Sequence, residues 1–300
     1  MTYINVIGFQ IFIVFLLQFF GGLLLSSYHS NFDLDCCFDS LYYIMIDVNV
    51  GWFIRFFHVL GASLFIVLIK IHWIRGIWIR LKMIEQNEIG SLIKENRIWF
   101  TNNRIELNWT ELNWIWLSGW LILLFVLLTG FLGYILCWGQ MSYWGITVMI
   151  NILTIIPLIG LYIGEYIWCS SLVIVNRIFV FHFSLGFLIG CFVLIHIIYL
   201  HSFSSSNPFI NNSSFIIPFY AIFYKDCLFS CFFVFYIIFY LFLEPDILGN
   251  CDNLVFANPL STPNHILPEW YFCSFYCILR AFPNKTMGVI IVLLFVLIVL

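Results

Sequence analysis

The sequence predicts an all-α membrane protein with several spans, on the basis of its composition and its hydropathy pattern. Hydrophobic residues make up 63% of the 300 residues and charged residues only 9%, whereas a soluble domain carries roughly 25% charge. So few charges cannot cover a water-soluble globule, and a net charge of −3 gives no support to nucleic-acid binding. The apolar runs are long and unbroken, which is typical of membrane helices and not of barrel strands.

Six apolar runs are candidates for membrane helices, five of them at 4–25, 52–79, 115–138, 178–201 and 227–243. The sixth begins near Met287 and continues to Leu300, so we expect the sequence to end inside a helix, with further helices missing. The apolar but broken segment 140–176 favours short helices at the membrane surface. The segment 244–285 contains five prolines and is a long loop of the kind that carries function. We divide the chain into a bundle at 1–201 and a second membrane region at 202–300.

The distribution of basic residues between the loops predicts the direction in which each run crosses the membrane. Lysine and arginine are concentrated after the second run, in a segment at 80–113 that we interpret as a charged loop, whereas the loop after the first run has four aspartates and no basic residue. Because basic loops stay on the side of synthesis, the second and fourth runs are predicted to be parallel and to run inwards.

Four of the seven histidines form two equally spaced pairs. His58 and His72 are 14 positions apart in the second run, and His182 and His196 are 14 positions apart in the fourth. On an α-helix this spacing is about 21 Å and leaves both residues within roughly 40° of one face. Because the two runs are parallel, each histidine of one run faces a histidine of the other at the same depth. Two facing imidazoles form a bis-histidine site, so the pattern predicts two stacked b-type haems.

The glycines of the first and third runs repeat this spacing. Gly8 and Gly22 are 14 positions apart, and so are Gly119 and Gly133. A flat macrocycle between two histidine helices presses on the other two helices, and glycine lets those backbones approach it. The predicted fold is therefore a four-helix haem-binding bundle followed by further transmembrane helices.

Three arginines near the histidines, Arg55, Arg75 and Arg177, are candidate partners of the anionic haem propionates. The alternative is that these arginines are ordinary anchors at the membrane surface. For the histidines themselves, the alternative is a haem-free transporter or channel in which they are polar groups of a pore.

Three sequence stretches are distinctive: GWFIRFFH in the second run, WGQMS after the third run, and PEWY in the long loop. Together they resemble the cytochrome b family of quinol–cytochrome c oxidoreductases, also called the bc1 complex or respiratory complex III. The spacing of 14 and the unbroken join of the fourth and fifth runs resemble the mitochondrial and bacterial type, not the split cytochrome b6 type. Cys137 stands where the family usually has proline, and the charged segment 80–113 is longer than usual.

This resemblance implies roles for the matching residues. His58 and His182 correspond to the ligands of the low-potential haem iron near the outer side, and His72 and His196 to those of the high-potential haem iron near the matrix side. Glu269 and Tyr271 correspond to catalytic residues of a quinol oxidation site, and a carboxylate there is suited to accept a quinol proton. The quinone-binding walls correspond to Pro268 beside them and to Tyr134, Gly145 and Ile146 opposite.

On the matrix side, His201 and Asp226 resemble the residues that flank the quinone reduction site, with Lys225 near enough in sequence to deliver protons. The resemblance thus implies ubiquinone and ubiquinol as substrates and a Rieske iron–sulfur protein, cytochrome c1 and other complex III subunits as partners in a homodimeric complex. It implies a location in the mitochondrial inner membrane, or alternatively in a bacterial plasma membrane. The alternative function is the b-type di-haem membrane anchor of another respiratory dehydrogenase, which would share the histidine pairs.

Overall fold

The computed structural model describes residues 7–30, 33–95, 109–156, 160–167, 171–203, 219–245 and 247–298. The described part of the chain is built from α-helices: α1 (Ile7–Ser26), α2 (Leu34–Ile46), α3 (Gly51–Glu95), α4 (Trp109–Ile135), α5 (Gln140–Leu153), α6 (Gly160–Ile167), α7 (Ser171–Phe203), α8 (Phe219–Leu243), α9 (Cys273–Ala281) and α10 (Lys285–Ile298). Short 3₁₀ turns lie at Cys251–Leu254 and Trp270–Phe272. The predicted all-α fold is confirmed.

Five of the described helices are long and apolar enough to cross a membrane. Their apolar stretches are Ile7–Ser26, Gly51–Leu81, Trp114–Ile135, Leu172–Ser202 and Phe223–Leu243. They correspond to the first five runs of the sequence, while the sixth run forms the shorter α10. Many large apolar side chains on these helices are exposed, as expected for helices whose outer faces contact lipid.

Helices α1, α3, α4 and α7 form the bundle, with α1 packed on α3 and α4 packed on α7. An apolar layer fills its centre and contains Val14, Ile66, Val126 and Ile189, each at most 4% exposed. Each of these residues lies about halfway along the 14-residue interval of its own helix. This tightly packed layer therefore separates two levels of the bundle, the upper one near His58 and the lower one near His72.

The stretch after α4 is covered by the distant segment 250–258. Gln140 donates its backbone N–H to the carbonyl of Val255 at 2.9 Å. The Asn253 side-chain oxygen accepts from the backbone N–H and the hydroxyl of Ser142 at 2.9 and 2.8 Å. It thereby satisfies a free N–H in the first turn of α5. A Cβ at Gly139 would overlap the Asn253 backbone, so glycine permits this close approach.

The charged segment interpreted as a loop at 80–113 is largely helical in its described part. Helix α3 continues to Glu95 and α4 already begins at Trp109, while 96–108 lies outside the described residues. The reason is local, since residues 81–95 contain no proline, and eight of the fifteen are leucine, lysine, glutamate or glutamine, which favour helix. The predicted short helices within 140–176 are observed as α5 and α6.

Candidate functional site

The upper level of the bundle brings together one histidine from α3 and one from α7. The ring centroids of His58 and His182 are 6.4 Å apart, with 75° between the ring planes. Both rings line a cavity of about 130 Å³ together with Gly22 and Gly186. Helices α3 and α7 therefore present histidines to each other at one depth.

The His182 ring is oriented by a backbone carbonyl of α4. Its Nδ1–H donates to the Thr129 carbonyl oxygen, with the two atoms 2.9 Å apart. Since a neutral imidazole carries one proton, Nε2 keeps its lone pair. A hydrogen bond from the ring nitrogen that does not bind the metal fixes both the tautomer and the ring plane of a metal-ligating histidine.

His196, at the lower level, is also held by a residue of α4. The Ser118 hydroxyl oxygen lies 2.9 Å from the Ile115 carbonyl oxygen and 2.9 Å from Nδ1 of His196. In both histidines of α7, Nδ1 thus contacts α4, which leaves Nε2 as the nitrogen for a metal.

The histidines of α3 supply a further observation. The Nδ1 atoms of His58 and His72 are buried and have no hydrogen-bond partner among the described residues. A buried polar atom without a partner costs about 1–3 kcal/mol. The fit to two bis-histidine haems rests instead on the donor set, which has one histidine from α3 and one from α7 at each of two levels.

The four glycines face the four histidine rings. A Cβ at Gly22 would lie 3.0 Å from Cε1 of His58, and one at Gly133 would lie 2.6 Å from Cε1 of His182. At the lower level, a Cβ at Gly119 would lie 3.2 Å from Cε1 of His196, and one at Gly8 would lie 3.6 Å from Cε1 of His72. Helix α1 thus opens space beside the histidines of α3, and α4 opens space beside those of α7.

Alanine substitutions at these glycines are expected to lower the haem content. The loss should be largest where the added Cβ would lie nearest to a histidine ring. Gly133→Ala should lose the most haem, because the new methyl group would push His182 away from its bond to Thr129. Gly8→Ala is the matched control, since 3.6 Å is ordinary van der Waals contact. The measurement is the haem-to-protein ratio of each purified variant. Equal haem content in the Gly133→Ala and Gly8→Ala variants would contradict the steric role.

The three candidate propionate partners lie in different surroundings. Arg55 lines a second, larger cavity, its Nε is buried with no hydrogen-bond partner among the described residues, and its guanidinium lies 5.7 Å from the centre of the Phe56 ring. The guanidinium of Arg177 lies 4.3 Å from the centre of the Tyr166 ring, and Arg75 is half-buried. Arg55 therefore has the most suitable setting for an anionic partner.

The larger cavity has a volume of about 560 Å³ and adjoins the upper histidine level, since His58 and His182 line both cavities. Tyr134, Glu269 and Tyr271 also line it. Burial raises the pKa of Glu269, and the neighbouring Tyr134 hydroxyl partly opposes this rise. A partly buried carboxylate in an apolar cavity is suited to accept a proton.

The PEWY turn is anchored on α3 through its tryptophan. The Trp270 indole N–H donates to the Ser63 hydroxyl oxygen at 3.4 Å, and the Lys70 ammonium lies 4.8 Å from the centre of the indole ring. Ser63 and Lys70 are seven residues apart and so share a helix face. Tyr271 is only 6% exposed, and a Cβ at Gly130 would lie 3.5 Å from its hydroxyl oxygen.

Other predicted residues do not join these cavities. Pro268 is half-buried, Ile146 packs in a separate cluster with Ile135 and Trp138, and a Cβ at Gly145 would meet nothing within 4 Å.

The predicted residues of the lower side are not joined by any described contact. His201 and Lys225 are exposed and Asp226 is half-buried. The segment 204–218, which connects their helices, lies outside the described residues.

Several residues of the sites were missed from the sequence: Ser118, Thr129, Ser63, Lys70, Asn253 and His29. Thr129 acts through its backbone carbonyl, which no sequence pattern reveals. Ser63 and Ser118 are single hydroxyls whose partners come from distant parts of the chain. Among these residues, only Lys70 could have been identified from the sequence, because a lysine inside an apolar run is by default a candidate functional residue.

The sequence is similar to two family models that together cover most of the chain. Residues 1–93 and 100–204 match the family described as cytochrome b/b6/petB, and residues 256–300 match the one described as cytochrome b(C-terminal)/b6/petD. Similar curated proteins are the cytochrome b of Phytophthora megasperma, 38% identical over 283 residues, and that of Chlamydomonas reinhardtii, 37% identical over 278 residues.

These alignments cover 93% and 91% of this chain and 67% and 66% of the two relatives, so the chain spans about two thirds of their length. The fold is similar to a solved structure of a hyperthermophilic respiratory Complex III. The TM-score is 0.84 at 25% identity, and the match covers 100% of this chain and 74% of that chain.

Proposed function

Because the chain belongs to the cytochrome b family, we propose that it is the di-haem electron-carrying subunit of a ubiquinol–cytochrome c reductase. The complex oxidises quinol near the outer side of the membrane and reduces quinone near the inner side, and the reaction translocates protons. The single observation that carries this proposal is the arrangement of four histidines at two levels of one bundle, each beside a glycine. When bound, two b-type haems supply one-electron carriers at two depths of the membrane.

His58 and His182 would hold the upper haem iron, and His72 and His196 would hold the lower one. Thr129 and Ser118 orient the two ligands of α7 through contacts to Nδ1. Gly8, Gly22, Gly119 and Gly133 provide the space beside the rings. Arg55 supplies a cation at the upper level, where an anionic propionate needs a partner. Arg75 and Arg177 are the further candidates for this role.

Quinol is oxidised in the larger cavity. Its oxidation breaks two O–H bonds and releases two protons and two electrons. Glu269 takes up one proton, because it lines the cavity. The other proton is released to the outer side. One electron leaves to a high-potential acceptor of the iron–sulfur class, and the other enters the membrane domain at the level of His58 and His182. Tyr271 lines the same cavity, whereas Pro268, Gly145 and Ile146 lie outside its lining.

Quinone is reduced on the opposite side of the membrane, where two protons are taken up. His201 and Asp226 lie near the ends of α7 and α8, and a histidine and a carboxylate there are suited to deliver those protons. Lys225 assists from the adjacent exposed position. The side of synthesis is the matrix of a mitochondrion, with the cytoplasm of a bacterium as the alternative.

The acceptor of the first electron is a Rieske iron–sulfur protein, which passes it to cytochrome c1 in a homodimeric complex with further subunits. A di-haem anchor of another dehydrogenase would share the histidine pairs but would have no use for the cavity formed by Glu269 and Tyr134.

The proposed function predicts quinol–cytochrome c reductase activity in the isolated complex. Adding quinol to the oxidised complex should reduce cytochrome c and also the b haems, measured together by visible absorption. If quinol reduced the b haems without any reduction of cytochrome c, the chain would belong to a different quinol-linked complex.

A further inference from the structure

Lys70 is a charged residue within a membrane helix, and the proposed function gives it no part so far. It lies in the apolar stretch Gly51–Leu81 of α3, between the two paired histidines of that helix. A charged side chain at membrane depth is costly, so lysines in such helices usually face a partner inside the protein and have a function. Lys70 is half-buried, and its ammonium lies against an aromatic ring, with Nζ 4.8 Å from the centre of the Trp270 indole.

The Trp270 indole is held at two places by α3. Its N–H donates to the Ser63 hydroxyl oxygen at 3.4 Å, which is longer than the roughly 2.7–3.2 Å of a typical N–H···O bond and so fixes the ring only weakly. Long side chains on a helix lean towards its N-terminal end, so Lys70 reaches back in the direction of Ser63 and places its charge over the ring. A cation over an indole is the most favourable kind of cation–π contact, and exclusion of water strengthens it. Lys70 therefore adds a contact that the hydrogen bond alone does not supply.

The indole is connected to the larger cavity through a short 3₁₀ turn. The Phe272 backbone N–H donates to the Glu269 carbonyl at 2.8 Å, which closes the turn around Trp270. The Trp270 ring packs edge-on against the Tyr271 ring, with the centroids 5.6 Å apart and 89° between the planes. Glu269 and Tyr271 line the cavity, whereas the residue between them does not. The turn thus directs its indole on to α3 and its two neighbours into the cavity, so a displaced indole would also displace the cavity residues.

We propose that Lys70 is a positioning residue for quinol oxidation: its ammonium holds the Trp270 ring against α3 and thereby keeps Glu269 at the wall of the larger cavity. This rests on the proposed oxidation of quinol in that cavity. Lys70 does not line the cavity, and in this role it exchanges neither a proton nor an electron. The role requires only a positive charge over the ring. Arginine, which forms the same contact, should therefore replace Lys70, whereas a neutral side chain of similar length should not.

The test compares Lys70→Met with Lys70→Arg in the purified complex. Methionine keeps an unbranched stem and removes the charge, so the working position of the turn should be less populated. We expect quinol oxidation to slow by about 2- to 30-fold, the range that corresponds to the loss of one cation–π contact, with both haems and their spectra unchanged. Lys70→Arg should restore the wild-type rate. Lys70→Gln is a second neutral variant, and Lys285→Met is the matched control, since Lys285 is an exposed lysine at the start of α10.

The positioning role also predicts how two substitutions combine. Because Lys70 acts through Trp270, the double variant Lys70→Met/Trp270→Leu should oxidise quinol no more slowly than Trp270→Leu alone. Multiplied losses in the double variant would overturn the proposal, and so would a wild-type rate in the neutral variants or an arginine variant as slow as the methionine variant. Loss of haem, or failure of both neutral variants to assemble, would overturn it as well, because Lys70 would then act on the whole fold. Each of these results leaves the proposed function intact, whereas a wild-type complex without quinol oxidation would defeat the proposed function itself.

Discussion

His182→Leu is expected to remove one of two b-type haems and to abolish electron transfer across the membrane. Leucine cannot bind iron, and His58, whose ring centroid lies 6.4 Å from that of His182, would be the only histidine left to hold the haem at this level. His58→Leu should therefore lose the same spectral component. The measurement is a redox titration of the visible absorption of each variant, followed component by component.

His72→Leu and His196→Leu should instead lose the other component, because they occupy the lower level beyond the apolar layer of Val14 and Ile66. His265→Leu is the control, since this histidine is exposed and belongs to neither level. Loss of one common component in the His58→Leu and His72→Leu variants would show that the haems are not shared between α3 and α7.

Glu269→Gln is expected to keep both haems and to slow quinol oxidation by about 10- to 1000-fold. Glutamine preserves the size of the side chain and can still meet the Tyr134 hydroxyl, but it cannot accept a proton. The measurement is the rate of cytochrome c reduction by quinol. Reduction of the high-potential haem from the quinone side should continue, and Asp226→Asn should show the reverse pattern. Glu244→Gln is the matched control, since Glu244 is an exposed glutamate at the end of α8.

The pH dependence adds a second test of Glu269. Burial raises its pKa, and only the ionised carboxylate accepts a proton. As the pH falls through this raised pKa, the accepting form is lost, so the wild-type rate should fall on acidification. The difference between wild type and Glu269→Gln should narrow in the same direction. A Glu269→Gln variant that oxidised quinol at the wild-type rate across the neutral pH range would leave the PEWY turn with a structural role alone.

The fold was predictable because the same 14-residue spacing of histidines or glycines recurs in all four helices of the bundle. The 14-residue spacing of His58 and His72 has the same value as that of Gly8 and Gly22. A spacing close to four turns keeps both residues on one face of a helix. Periodicity of this kind is a local property and can be read directly from the chain.

The rest of the sites could not be predicted because it depends on contacts between distant segments. The Asn253 side chain accepts a hydrogen bond from the backbone N–H of Ser142 in α5, 111 positions away in the sequence. Ser118 contacts and orients His196, 78 positions away. Single polar residues such as His29 have no period, so their partners appear only when the helices are packed. The charged segment between the spans that end at Leu81 and begin at Trp114 was predicted, whereas the continuation of α3 to Glu95 within it was not.

The number of haems per chain is the most direct test of the two-level arrangement. A redox difference spectrum of the purified protein, combined with a haem-to-protein ratio, gives this number in one experiment. Two b-type haems per chain, resolved as two components of different potential, is the predicted result, because four histidines provide two pairs of axial ligands. A chain that folds and binds no haem, or binds one haem alone, would contradict it.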